Sequence, residues 1–429
     1  MSEQAVSTSR VLEKITQEQL NALASLHVRF LEGRIGGRRA SLKNTDMSGL
    51  SLKDQNLSRA NFVGCVMMGM NLSGTDFSEA SLYACDLSEA DLSQASFVRS
   101  DLRGATIQSA NVQKANFDRA DLREGGIIDE KNYNAQPVSF RGANMSGAKL
   151  IGSLANKADF SDAIMVGADM TNADMRGASL EGADMSDAAI KGANFEGAKF
   201  KSAILTGVAV AGIYGADIGG AITDANVGKS IKEMDQPLSN KIESHRAWVE
   251  SAGQNGAQLD LSTIDIRPLR SLKKEKLTAI KAVGAKFFGM NLYKIELQSA
   301  VLDESDFRNC DMEESDVRAA SFRGANFSHA KLRGIKASPL LFGKGDGKRF
   351  SPSDFTNAKL RYCDLTGAQL KNALFVGADL SYADMTGADL READFTGAIM
   401  KGAILDNAET EGAKFDKGGS GAVFKMKGE

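Results

Sequence analysis

Along most of this chain a large apolar side chain recurs at every fifth position, with a small residue two places before it. The register is strictest over residues 158–200. There the small positions are Ala158, Ala163, Ala168, Ala173, Ala178, Ala183, Ala188, Ala193 and Ala198. The large ones are Phe160, Met165, Met170, Met175, Leu180, Met185, Ile190, Phe195 and Phe200. The three positions between are mostly Asp, Asn, Ser, Gly, Lys or Glu. A period of five matches neither the helical 3.6 nor the strand 2.0, so an ordinary amphipathic element drifts out of phase. It indicates one structural unit copied along the chain, whose apolar side chains are buried only when copies stack.

This pattern resembles the pentapeptide repeat family, with its A(D/N)LXX consensus, over most of the chain. The resemblance implies an all-β solenoid, a right-handed quadrilateral β-helix with four repeats per turn. The small residue then points inward at a corner and the large one into the centre. It also implies a bacterial protein, and a scaffold role or no known activity for most relatives.

The pattern divides the chain. Residues 1–39 read as a polar tail and a capping helix over Ile15 to Glu32. Thr16 and Gln19 form a candidate capping box, and Leu20, Leu23, Leu26, His27, Phe30 and Leu31 make an apolar stripe. Residues 40–227 form a first β-helix with a loop insertion at 128–139, and the register shifts by three at Ile213. Residues 228–256 hold a second helix from Asn240, capped by Ser239. Residues 257–415 form a second β-helix with an insertion at 334–353, and 416–429 are a tail. Within the second run, residues 272–284 read as irregular coil turns rather than a basic helix. The segments LHVRFLEGRIGGRRASL and SHRAWVESAGQNGAQL match His for His, with Phe30 against Trp248 and Ala40 to Leu42 against Ala257 to Leu259. That match indicates an internal duplication, each half a helical cap and a coil. The candidate cap anchors are His27, Phe30, His245 and Trp248.

Composition narrows the chemistry. Hydrophobic residues make up 42% of the chain but aromatics only 7%, which suits a thin core of small side chains. The net charge of -3 gives no general attraction to nucleic acid, and no direct nucleic-acid binding is expected. The acidic excess lies in residues 1–227. No apolar run approaches the ~18 residues of a membrane span, and no secretory signal pattern opens the chain, so cytoplasmic is the default. The four cysteines, Cys65, Cys85, Cys310 and Cys363, occupy small inward slots and read as buried thiols; Cys65 and Cys85 fall one turn apart. Pro137, Pro237, Pro268, Pro339 and Pro352 all lie where the register breaks, as a backbone hydrogen-bond ladder requires.

No catalytic, metal or cofactor site is legible. His27 and His245 read as helix anchors, with no nucleophile placed beside either. Aspartates that precede the central residue, such as Asp159 and Asp169, read as turn ligands rather than a general-acid pair or calcium ladder. The second insertion carries Phe342, Lys344, Lys348, Arg349 and Phe350, a candidate partner-binding loop; its glycines lack phosphate-loop spacing. The expected function is therefore a non-enzymatic protein–protein interaction scaffold. The alternative implied by the resemblance is a DNA mimic that binds gyrase, as fluoroquinolone-resistance members do. The near-neutral charge, the length and the lack of a C-terminal dimer helix depart from that group. Edge pairing of the last turn near Phe415 makes a homodimer possible.

Overall fold

The computed structural model describes residues 12–126, 128–129, 132–133, 135–342 and 349–416. It divides into two compact units, residues 1–226 and 227–429, each with its own apolar core.

One repeat shows how five residues close on themselves. Phe160 N–H donates to the Ser179 carbonyl (2.8 Å), and Asp162 N–H to Glu181 O (2.8 Å). Asp159 N–H points the other way, to Val138 O (2.9 Å), and Ala163 N–H turns back to Phe160 O (3.0 Å). The fifth amide, on Ser161, is met by the Asp159 carboxylate (2.9 Å). Every backbone donor of the repeat is thus satisfied. This explains the Asp, Asn or Ser before the central residue: a short side-chain acceptor is needed to reach the amide two residues on. The same contact recurs at Asp76 to Ser78, Asn144 to Ser146 and Ser51 to Lys53. The turn holds Asp162 at φ 57, a left-handed residue in the third turn position, as in type II turns. Glycine is common at that position for this reason.

Parallel bridges join residues twenty apart, as in Asp159 with Ser179, so one turn takes four repeats. Central side chains therefore stack. Phe355, Phe375, Phe395 and Phe415 form a column with centroids 5.0–5.1 Å apart and nearly parallel rings. Burial of each such ring contributes about 1.5–3 kcal/mol. All four cysteines are free thiols in buried inward slots, and burial raises the pKa of Cys85, Cys310 and Cys363.

Departures from the twenty-residue turn are local. A 3-10 turn at Val210–Gly212 shortens one turn of unit 1, so Lys199 bridges Asp217. In unit 2 a 3-10 turn at Arg267–Leu269 adds one residue, so Asp260 bridges Lys281. Residues 272–284 lie in coil turns, with Ser271 bridging Asn291 and Lys276 bridging Glu296.

Both insertions are β-hairpins, and both sets of sequence boundaries need correction. The first hairpin pairs Ile128–Asp129 with Asn132–Tyr133 and already begins at the Gly125–Gln136 bridge. The coil resumes at buried Val138 and Ser139, ahead of Phe140. Gly104 permits this hairpin: a Cβ there would lie 2.6 Å from Gly125 O. Ile127 lies outside the described residues. The second hairpin pairs Leu340–Phe342 with Arg349–Ser351. The coil runs on through Lys336, bridged to Gln369, and Ala337, so residues 334–337 are not insertion. A small residue, Ala337, fills that central slot and hides the repeat.

Each unit opens with a short strand and a helix. In unit 1, Glu13–Lys14 pairs with Thr45–Asp46, then α1 runs over Gln17–Leu31 with the Thr16–Gln19 capping box formed. Its buried residues are Leu20, Ala24 and His27, whereas Phe30 is 38% exposed; Ala24 was missed and Phe30 is not core. In unit 2, Lys229–Ser230 pairs with Ile264–Asp265 and α2 spans Leu238–Glu250. It starts after Pro237, not Ser239, because Pro237 O accepts the amides of Asn240 and Lys241.

Replacing Ala178, fully buried, with Leu overfills its slot and is expected to destabilise unit 1 by about 1–3 kcal/mol. Thermal melting checks this; an unchanged midpoint contradicts the inward packing.

Candidate interaction site

Two sets of side chains stand apart from the repeat. The first is the pair of helix anchors. His27 Nδ1 accepts the Ala40 amide (3.0 Å) and Nε2 donates to Ser58 O (2.9 Å). His245 Nδ1 accepts the Leu259 amide (3.1 Å) and Nε2 donates to Thr278 O (2.9 Å). Both imidazoles are fully buried, and both ring nitrogens of each are engaged by backbone. Phe30 stacks on His27 and half-buried Trp248 on His245, each at 5.7 Å. The equivalent coil residues are thus Ala40 and Leu259. The sequence match of Ala40 with Ala257 is off by two, because the loop after α2 is longer and its glycines align ambiguously.

Burial pushes both imidazoles below their ordinary value of 6.5. The neutral form is needed, since Nδ1 must accept while Nε2 donates.

The second set lies on the hairpin of residues 338–352. Phe350 pairs across with Leu341, and Arg349 with Phe342. Cross-strand partners share a face, so Leu341 and Phe350 lie on one side, Phe342 and Arg349 on the other. Leu341 is 66% exposed, Phe350 54% and Phe342 45%. A two-stranded ribbon with large apolar groups open on both faces gains nothing from water. Lys344 and Lys348 lie outside the described residues. Leu341, the most exposed of the three, was missed; its signal was the apolar run Leu340, Leu341, Phe342 inside an insertion. The first hairpin differs. Tyr83 ties it down by donating to Gly126 O (2.8 Å) and accepting the Gly126 amide (3.0 Å).

Part of the aspartate columns is neutralised by neighbouring arginines. Where Arg stands two residues after Asp, the pair is bidentate, as in Arg176 on Asp174 and Arg391 on Asp389. The arginine hydrogen bonds hold both carboxyls below the usual carboxylate range. Among the described residues no group of three or more His, Cys, Asp or Glu side chains is placed to hold a metal ion. No helix among them is long and apolar enough to cross a membrane.

With this geometry in hand, the family model "Pentapeptide repeats (8 copies)" matches residues 38–123, 139–207, 283–336 and 353–409 in overlapping segments. The chain belongs to the pentapeptide repeat family. No curated protein matches it in sequence. Among solved structures it is similar to full-length QnrB1, a plasmid-mediated fluoroquinolone resistance protein. Identity there is 21% over 49% of this chain and 89% of that one, with a TM-score of 0.28. It is also similar to HetL, involved in heterocyst differentiation regulation in the cyanobacterium Nostoc sp. strain PCC 7120. That match is 19% identical over 90% of this chain and 93% of that one, TM-score 0.16. Rfr23 of the cyanobacterium Cyanothece 51142 is 28% identical over 28% of this chain and 88% of its own, TM-score 0.19. At these TM-scores the likenesses carry no inference about function.

Removing an anchor strands a buried donor and acceptor, so His27→Ala and His245→Ala should each cost about 2–4 kcal/mol. The pH dependence has a definite sign. The unfolded histidines, at 6.5, take up protons before the folded ones do, so stability is full above pH 6.5 and falls as pH drops below it. Melting curves across that range test this; the component should shrink in each alanine variant.

Proposed function

We propose that the protein is a non-enzymatic protein–protein interaction scaffold. Its two units are read as right-handed quadrilateral β-helices, each closed at its start by the His-anchored helix, and the coil serves as a rigid mount. The observation that carries the reading is the hairpin of residues 338–352. Leu341, Phe342 and Phe350 are exposed on both of its faces, with Arg349 beside Phe342. Such a ribbon suits insertion into an apolar cleft of a protein partner, where buried aromatic anchors supply most of the affinity. The engagement of all four imidazole nitrogens by backbone supports a structural role for the histidines over a catalytic one. The interruption of the aspartate columns, as in the stack Asp86, Thr106, Ser139, Asp159, Ser179, speaks against a gyrase-binding DNA mimic, which needs a continuous negative face. Free buried thiols accord with a reducing cytoplasm.

The test is capture of the partner from bacterial lysate by the full chain and by a Leu341→Ser/Phe350→Ser variant with an unchanged melting midpoint. The reading expects affinity for the captured partner to fall by more than about tenfold. Undiminished capture by the variant contradicts it.

A further inference from the structure

The internal duplication supplies a control for a second surface. In both units a loop carries the chain from the helix back to the first coil turn. In unit 2 this loop, residues 251–258, holds no charged residue. It is fixed by the Ser251 hydroxyl, which donates to Ala247 O (2.7 Å) and accepts the Asn255 amide (2.8 Å). The structural task thus needs neither charge nor a large apolar group. The unit 1 loop has both. It reads Gly33, Arg34, Ile35, Gly36, Gly37, Arg38, Arg39, with Arg29 on the last turn of α1.

Ile35 is 96% exposed and is held in place. Arg29 Nη2 donates to Ile35 O (2.7 Å), Arg34 N–H to Arg29 O (2.9 Å), Gly37 N–H to Arg34 O (3.0 Å) and Arg38 N–H to Leu26 O (3.0 Å). A Cβ on Gly37 would lie 2.4 Å from Phe30 N, so the loop is pressed onto the helix. Arg29, Arg34, Arg38 and Arg39 are all exposed. Glu32, on Arg34 at 2.9 Å, is the one acid between residues 29 and 39. Arg39 Nε donates to the backbone carbonyl of Arg59, whose own guanidinium is paired with Glu79.

We infer that this loop docks the protein onto an anionic lipid bilayer surface, with Ile35 entering the acyl boundary and the arginines on the headgroup phosphates. A side chain this exposed sits on a convex tip. A convex aliphatic tip on a loop that carries exposed Arg34, Arg38 and Arg39, with Arg29 at its base, matches a deformable, negatively charged interface. Nucleic acid is disfavoured: an aliphatic tip gives a phosphate backbone nothing, and the loop has no aromatic side chain for base stacking. The arginines complement phosphate geometry, since the planar fork donates to two oxygens at once.

The experiment is co-sedimentation of the full chain with phosphatidylcholine vesicles, with and without about one-third phosphatidylglycerol, at low and high salt. Binding is expected to the anionic vesicles alone, and to weaken with salt. Arg34→Ala and Arg38→Ala should each lower the partition about fivefold. Ile35→Ser should lower it further at equal charge, with melting midpoints unchanged in all three. The Leu341→Ser/Phe350→Ser variant should bind vesicles as the parent does, so the two readings fail separately. Absence of sedimentation, equal binding to neutral vesicles, or binding untouched by these loop substitutions overturns the proposal. So does binding to poly-glutamate as tight as to the vesicles, which assigns the loop to an acidic protein surface.

Discussion

Everything in this molecule depends on the backbone hydrogen bond between residues one turn apart. In a regular turn the N–H of the central residue reaches a carbonyl nineteen residues ahead, and the N–H before it reaches one twenty-one behind. Once that ladder is fixed, the sequence has little freedom. The inward corner mostly takes a small side chain and the centre a large apolar one, the two exchanging size where Ile280 precedes Ala282 and Ile335 precedes Ala337, and the turn needs a left-handed residue. The remaining amide needs a side-chain acceptor, which is why Asp, Asn and Ser crowd the position before the centre. Proline is excluded from the ladder and appears at Pro237 before α2, at Pro268 in a 3-10 turn, and at Pro339 and Pro352 beside the second hairpin.

A ladder has ends, and its ends expose apolar cores and unpaired backbone. Both units meet this at their starts in the same way, with a strand, a helix and a buried histidine that bridges an amide and a carbonyl 2.9–3.1 Å away. The repetition separates structure from specialisation. What the two starts share serves the coil; what differs is open to other use. Ile35 and its arginines belong to the second class, and so do the exposed apolar side chains of the second hairpin, Leu341, Phe342 and Phe350.

The repeat itself was legible because in most repeats one side chain in five is large and one small. Legibility failed where a slot was filled atypically. Ala337 in a central position hid the last repeat before the second hairpin, and Val138 in a small slot hid the resumption after the first. Pro237 replaced Ser239 as the start of α2 because a carbonyl, invisible in residue identity, does the capping. The histidines stood out by their matched spacing, yet their partners, the Ser58 and Thr278 carbonyls, are set by the coil register and not by residue type. On the second hairpin Phe342, Arg349 and Phe350 were singled out, but Leu341 was not, since an aliphatic residue in the run Leu340, Leu341, Phe342 reads as core until the ribbon is seen to be open on both faces.

The most direct test of the ladder is amide hydrogen exchange resolved by peptide. Residues 271–286, poor in repeat character, are laddered like the rest, whereas the paired strands of the second hairpin stand outside the coil. Peptides covering 271–286 should then be protected as strongly as those covering 158–200, with exchange over the hairpin strands Leu340–Phe342 and Arg349–Ser351 much faster. Rapid exchange of 271–286, comparable to the hairpin, would contradict a continuous hydrogen-bond ladder in unit 2.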